Sequence, residues 1–327
     1  ITVQNNPQNQ LAGTAQSMLK SIMFHVKHPM EDRMTNPSGI QAPIMREMTL
    51  NAERARKVDA AVLVAPAQTR IITISNQKGG VGKTTTAVNI AAALASKGMR
   101  VLVIDLDPQG NASTALGVEH HNGVPGSYEV LVDGEHVADL VKQSPEHPNL
   151  FCLPASINLA GAEIDMVNVE QREQVLAKAL AKYISSSEPR IDYVFIDSPP
   201  SLGLLTVNAL VAATEVLVPI QCEYYALEGV TQLVSNIERV KKALNPALQV
   251  SSILLTMFDN RTNLSTDVAN EVRKFFPKET LGATIPRSVR LSEAPSYGQT
   301  AITFDPKNSG SLAYQEAAIE LAQRGEH

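Results

Sequence analysis

Arg70-Ile71-Ile72-Thr73-Ile74-Ser75-Asn76-Gln77-Lys78-Gly79-Gly80-Val81-Gly82-Lys83-Thr84-Thr85 is the stretch whose reading decides the fold. Ile71 to Ser75 is short and rich in β-branched residues, the pattern of a buried strand. A glycine-rich turn follows it. Lys83 to Ser96 is alanine-rich and reads as a helix, closed by Gly98. Val101 to Ile104 is a second apolar strand that runs into Asp105. Together these segments make one βαβ unit. In that setting Lys78-Gly79-Gly80-Val81-Gly82-Lys83-Thr84-Thr85 reads as a phosphate-binding loop. Its glycines let backbone N–H groups turn inward around an anion, and the helix that starts at Lys83 adds its positive end. Lys83 is placed to reach β- and γ-phosphates, and Thr84 to offer its hydroxyl to Mg²⁺. Gln77 occupies the position where the usual pattern begins with glycine.

Outward from this unit the alternation continues. Strands are expected near 150–153, 191–196, 215–220, 251–257 and 281–285. Helices are expected near 128–132, 171–183, 204–213, 226–244, 264–275 and 312–324. Such alternation points to an α/β fold, a doubly wound and mostly parallel sheet with helices on both faces, of the P-loop NTPase type. Ligands of such sheets bind beyond the carboxyl ends of the strands. Asp197 ends one strand there and is the candidate to hold Mg²⁺ through water. Asp105 and Asp107 leave the end of another, and both are candidates to approach a γ-phosphate. Two close carboxylates are costly without a cation, which Mg²⁺ and two lysines supply. Pro199, Pro200 and Gly203 make the loop after Asp197 a candidate switch.

The chain has 327 residues and a formal net charge of -5, so nucleic-acid binding would need a local basic patch. Two cysteines, Cys152 and Cys222, are too few and too far apart for a disulfide scaffold or a metal site, and a reduced compartment is expected. No apolar run of membrane-spanning length and no secretory signal is read from the sequence. Residues 1–68 are expected to be a flexible extension and linker, with 69–327 the folded ATPase-type unit. Residues 1–50 are rich in Asn, Gln, Pro and Met and show no sustained period. Residues 51–68 are expected to hold a short helix and a linker through Pro66.

Four blocks make the chain resemble the ParA/Soj family of chromosome and plasmid partition ATPases, within the wider MinD/ParA group. They are Asn76 to Thr85, Asp105-Leu106-Asp107-Pro108-Gln109-Gly110-Asn111, Phe195-Ile196-Asp197-Ser198-Pro199-Pro200-Ser201-Leu202-Gly203, and Ile285-Pro286-Arg287-Ser288-Val289-Arg290-Leu291-Ser292-Glu293-Ala294-Pro295-Ser296. The resemblance covers about residues 70 to 324, and the glutamine at 77 is ordinary for this deviant Walker A class. It implies that ATP and Mg²⁺ are the cofactors. Lys78 is implied as the signature lysine that crosses an ATP-sandwich homodimer, Asp107 as the acid that positions water, and Pro286 and Arg287 as the border of the adenine. It further implies that the ATP dimer binds double-stranded DNA without sequence preference, through Arg261 and Arg290, with Lys274 and Lys278 extending the patch. Hydrolysis would be slow until a ParB-like centromere-binding partner stimulates it. The implied location is cytoplasmic and nucleoid-associated, with no membrane attachment. A MinD-like or ParA-like ATPase that positions a membrane or protein assembly is the alternative reading.

Met23-Phe24-His25-Val26-Lys27-His28 stands apart. Suitable codons for it contain the palindrome GTTTCACGTGAAAC, which resembles the site such a partner binds. The expectation is that a centromere site lies within the reading frame, and that translation can start downstream at Met30, Met34, Met45 or Met48.

Overall fold

In the β-strands, alternate residues face opposite sides of one sheet, and both sides are apolar. Ile72 and Ile74 pack with Val101, Val103, Tyr193 and Phe195 in one core. Leu102, Ile104, Val194 and Ile196 pack in another, on the opposite side. This two-sided burial is why the strands read as continuous apolar runs rather than as alternating ones.

The computed structural model describes residues 41–224 and 226–325. The peptide Met23–His28 and the candidate starts Met30 and Met34 lie outside them. Eight strands run in the order β3-β4-β2-β5-β1-β6-β7-β8. They are β1 (Arg70–Ile74), β2 (Val101–Asp105), β3 (Lys142–Gln143), β4 (Leu150–Leu153), β5 (Tyr193–Asp197), β6 (Glu215–Gln221), β7 (Gln249–Phe258) and β8 (Thr280–Pro286). All neighbours pair in parallel except β3 with β4. The short β3 had no signal in the sequence. On one face lie the helices Lys83–Ser96 and Ser309–Arg324. Val175–Ser186, Leu204–Ala212, Ala226–Ala243 and Asn263–Phe275 cover the other. β1 sits centrally, between β5 and β6, so the loop after it opens at the middle of the carboxyl edge. Asp105 pairs in register with Asp197 on the adjacent strand, which brings two acidic strand ends beside that loop.

The first described helix, Gln41–Ala60, takes in ten residues that the sequence reading left without regular structure. Its residues 45–50 are exposed, so propensity and tertiary anchoring further along hold it, not a buried stripe throughout. Val58 is buried. Arg54 makes a two-pronged ion pair with Glu316, with Nε–Oε1 at 2.8 Å and Nη2–Oε2 at 2.7 Å. Lys97, just past the helix Lys83–Ser96, donates to the carbonyls of Val58 (2.5 Å) and Asp59 (3.2 Å), closing the carboxyl end of Gln41–Ala60. Leu63 enters the core beside the helix Ser309–Arg324. Arg190 donates to the carbonyls of Pro66 and Ala67, each at 2.6 Å. The segment from 54 to 69 is therefore bonded to the body of the molecule rather than loosely linked to it.

Candidate nucleotide site

The loop after β1 is shaped by residues at some distance from it in sequence. Gly80 and Gly82 have φ of +73° and +89°, where a side chain would be strained, and Gly82 forms the amino cap of Lys83–Ser96. The Asn76 amide donates to Pro219 O at 2.8 Å, while its Oδ1 accepts the Lys78 N–H at 3.0 Å. Thr256 of β7 donates to Val81 O at 2.9 Å. On the next turn, Thr86 and Tyr314 share a hydrogen bond of 3.2 Å between their hydroxyls. Asn76, Thr256 and Tyr314 were not singled out in the sequence. Their role depends on contacts across 143 to 228 residues, which no local pattern signals.

Lys83 is buried, and its Nζ lies 3.4 Å from Lys78 O, curled back over the loop. Burial pulls the lysine below its ordinary pKa, while Asp197 and Asp107 act in the opposite direction. Asp197 is fully buried, and neither of its carboxylate oxygens has a hydrogen-bond partner. Burial, reinforced by Asp105, pushes its pKa well above the usual carboxylate range. The nearby Thr84 hydroxyl and Lys83 ammonium oppose that shift, but the hydroxyl does not complete a bond of ordinary geometry. A buried carboxylate left this way costs several kcal/mol unless a cation meets it, on the order of the effective penalty per buried ion. Two orphaned oxygens beside a threonine hydroxyl are a donor set that suits a hard, oxygen-loving divalent ion.

The two acids of the Asp105–Asp107 pair have different surroundings. Asp107 lines a cavity of about 410 Å³ that opens from the loop between Lys83, Thr84 and Pro200. Its Oδ1 accepts the Gln109 N–H at 3.0 Å. Asp105, expected to approach a γ-phosphate as well, is fully buried and does not line the cavity. It is the last residue of β2, a strand buried on both faces, and its carboxylate is held by Ser113. Burial pushes its pKa up to about 6, against the hydrogen bonds it accepts from Ser113 and Asp107.

Gly79, Gly80, Gly82, Thr84 and Thr85 all line the cavity, and Val81 is buried behind it. Its far wall is formed by Val88, Asn111, Thr114, Ala115, Met257, Leu291, Ser292, Pro295 and Gln299. Pro286 and Arg287, expected to border a base, are not among its lining residues. Pro286 ends β8, and Arg287 is largely exposed, 3.7 Å from Glu223. The turn after β8 passes them and returns through Leu291 and Pro295 instead. Met257 has φ +50°, a strained value for a side-chain-bearing residue, held where it faces the cavity. Lys78 extends away from the loop, half-exposed, with its Nζ 3.2 Å from Glu223 Oε2.

Arg261 lies on the turn that leaves β7, whereas Arg290, expected on a loop, lies in the short helix Val289–Glu293 that follows β8; β7 and β8 are adjacent and paired through Phe258 and Pro286. Arg261 is 84% exposed and binds Asp259 with two prongs, at 2.9 and 2.8 Å. Those bonds hold the Asp259 carboxyl down at about 2. Arg290 lies 3.1 Å from Glu293 and 3.6 Å from Asp305, over the ring of Phe304. No helix among the described residues is long and apolar enough to cross a membrane.

A family model described as an AAA domain matches residues 69–250. The chain is 49% identical over 256 residues to the sporulation initiation inhibitor protein Soj of Bacillus subtilis, covering 78% of this chain and 99% of that one. It is 49% identical over 255 residues to the chromosome partitioning protein ParA of Myxococcus xanthus, covering 78% and 88%. Among solved structures, it is similar to a cobyrinic acid a,c-diamide synthase from Mycobacterium smegmatis with bound ADP and magnesium. That match has a TM-score of 0.65 and 39% identity, over 77% of this chain and 93% of that one. The helix Gln41–Ala60 precedes the residues matched by the family model. With its eight-stranded sheet, its phosphate-binding loop and these relatives, the chain belongs to the ParA/Soj family of chromosome-partitioning ATPases.

Proposed function

We propose that this chain is a Mg²⁺-dependent ATPase of chromosome or plasmid partition whose ATP-bound dimer carries DNA and releases it on hydrolysis. The observation that carries the nucleotide part is Asp197, a buried carboxylate with both oxygens orphaned beside Thr84 and Lys83. Thr84 and Asp197 would hold Mg²⁺, Asp197 through water. Bound there, the ion neutralises charge on the β- and γ-phosphates. The backbone from Gly79 to Thr85 cradles the phosphates, and Lys83 reaches the β- and γ-oxygens. Asp107 has one oxygen fixed by Gln109, so the other is available to orient water in line with the γ-phosphate. That water's oxygen bonds to phosphorus as the bond to ADP breaks. Met257, Leu291 and Pro295 offer an apolar wall for the base, and Pro286 and Arg287, on the turn before them, are proposed to border it from outside the cavity lining.

Two features support pairing with a second copy. Lys78 is an exposed cation at the mouth of the site, touching a single carboxylate at 3.2 Å, and is free to turn to a partner's phosphates. Around the same mouth, Leu202 lies on the switch loop, and Ile157, Ile164 and Val167 lie on the segment that meets it. All four are exposed, and Gly203 abuts Glu163. For DNA, the support is local. Arg261 is held in a fixed orientation by Asp259 and still presents outward N–H groups, and Arg290 leaves the neighbouring strand end. Pairing two copies doubles that patch in a chain whose overall charge is -5. A ParB-like partner that stimulates hydrolysis, a cytoplasmic location and nucleoid association complete the reading, on the strength of the family.

The test is binding to long duplex DNA by anisotropy, at fixed salt, with ATP, ADP or no nucleotide. Tight binding is expected with ATP alone, and to be lost when Arg261 and Arg290 become alanine. Equal binding in all three states, or none despite ATP-driven dimerisation, would overturn the DNA-carrier reading.

A further inference from the structure

Asp105 is a buried carboxylate that the reaction as described above does not use. It is fully enclosed at the carboxyl end of β2, yet every hydrogen bond to its carboxylate comes from the segment that runs from Asp107 to Ser113. Oδ1 accepts the Asp107 N–H at 3.1 Å. Oδ2 accepts the Ser113 N–H at 2.8 Å and the Ser113 hydroxyl at 2.7 Å. The Ser113 oxygen in turn accepts the Ala155 N–H at 3.1 Å. Behind it, the Ser127 hydroxyl donates to Asp105 O at 2.6 Å. The carboxylate thus ties the start of the turn, at Asp107, to its end, at Ser113. Within it, Gly110 N–H closes onto Asp107 O at 2.9 Å, and Gln109 N–H fixes Asp107 Oδ1 at 3.0 Å.

We propose that Asp105 is a positioning residue for hydrolysis, holding the Asp107 turn so that the free Asp107 oxygen keeps its aim at the attacking water. The chemistry of the site explains why a carboxylate is used. Three N–H or O–H donors converge on it, and only an ionised acid accepts all three without offering a donor of its own. An asparagine keeps one accepting oxygen and turns an N–H₂ group toward another donor. The turn must then shift, and a displacement of about 1 Å in a reacting group costs on the order of 100-fold in rate. Asp105 also shares its strand pairing with Asp197, and Leu106 N–H donates to Asp197 O at 3.0 Å. One strand pair therefore sets both the metal-side acid and the water-side acid.

The inference rests on the role of Asp107, so Asp107→Asn is measured alongside. For Asp105→Asn, single-turnover and steady-state hydrolysis should fall by roughly 10- to 100-fold in kcat. The dissociation constant for fluorescently labelled ATP should stay within about threefold, since the Gly79–Thr85 cradle is untouched. Ser113→Ala, which keeps the Asp107 N–H bond, should lower kcat by a smaller factor and serves if Asp105→Asn fails to fold. In the Asp107→Asn background, Asp105→Asn should reduce hydrolysis no further, because it acts through the residue already removed. Full hydrolysis by Asp105→Asn and Ser113→Ala with an inactive Asp107→Asn would overturn the inference alone. Loss of ATP binding in step with kcat would reduce Asp105 to a structural role and overturn it as well. Normal hydrolysis by Asp107→Asn would instead remove the reading of Asp107 on which it depends.

Discussion

At the two ends of the strands, charged groups have opposite surroundings. At the amino ends most are matched. Arg70 opens β1 and binds Glu215, which opens β6, with both prongs at 2.8 and 2.7 Å. Asp192, just before β5, accepts from Arg100 N–H and from Arg190. Arg324 caps the carbonyls of Lys278, Glu279 and Thr280 at the start of β8 and pairs with Glu320. At the carboxyl ends the balance is incomplete. The Asp197 carboxylate has no hydrogen-bond partner, Lys83 has one long contact to a carbonyl, and Asp105 is held at a raised pKa. The same sheet, with the same buried apolar strands, is thus finished at one edge and left wanting a polyanion and a cation at the other. Matched pairs stabilise the fold, whereas the unmatched ones store binding free energy for a ligand.

The strongest way to break this contrast is Lys83→Met. It should lower hydrolysis by roughly 10²- to 10³-fold, the scale for one lost charge-stabilising donor. It should also abolish the rise in melting temperature that ATP and Mg²⁺ give the wild type. Asp197→Asn comes next. In the nucleotide-free protein it removes the cost of ionising a buried acid, several kcal/mol on the scale of the penalty per buried ion, so melting at pH 7 should rise, while stabilisation by Mg-ATP disappears.

The same acids set a pH dependence. Asp105 titrates at about 6 in the folded chain and Asp197 also lies above its ordinary value. Between the unfolded value near 3.8 and the raised folded value, the folded chain binds more protons than the unfolded one. Stability therefore falls as pH rises through that window. Without nucleotide, the melting temperature should be higher at pH 5.5 than at pH 7, and Asp197→Asn should flatten the difference. The smallest effect is expected on the matched side. Arg54→Ala removes a partly exposed pair and should cost about 1 kcal/mol, or ~2 °C of melting, with hydrolysis unchanged. A loss of hydrolysis in Arg54→Ala would mean that the extension reaches the active edge, and the contrast would need redrawing.

The residues proposed to meet a ligand through their own side chains were legible in the sequence. Gly79 to Thr85 announced itself because the loop is local, and Asp107 and Asp197 because strand ends in such sheets converge. Three things were hidden. The separation of Asp105 from Asp107 depends on where β2 ends, with Asp105 its last buried residue and Asp107 out on the turn, and on Ser113 folding back onto Asp105. The bracing of the loop by Asn76, Thr256 and Tyr314 depends on tertiary contacts alone. The helix Gln41–Ala60 has weak local credentials, with exposed Met45, Met48 and Leu50, and is fixed by Arg54, Val58 and Lys97 from outside. Composition alone favoured a loose chain there, and long-range anchoring overrode it.

Gly325 lies against the guanidinium of Arg70, and the helix Gln41–Ala60 packs on Ser309–Arg324. The first and last described helices therefore run together, and the closing residues end beside the amino edge of the sheet, across the strands from the phosphate loop. Because Arg54 reaches Ser309 O while Val58 meets Lys97 at the amino edge, the two helices run in the same direction, and the start of Gln41–Ala60 points back toward the carboxyl edge. A reporter domain fused after Gly325 should therefore stand clear of the mouth where a second copy is proposed to dock.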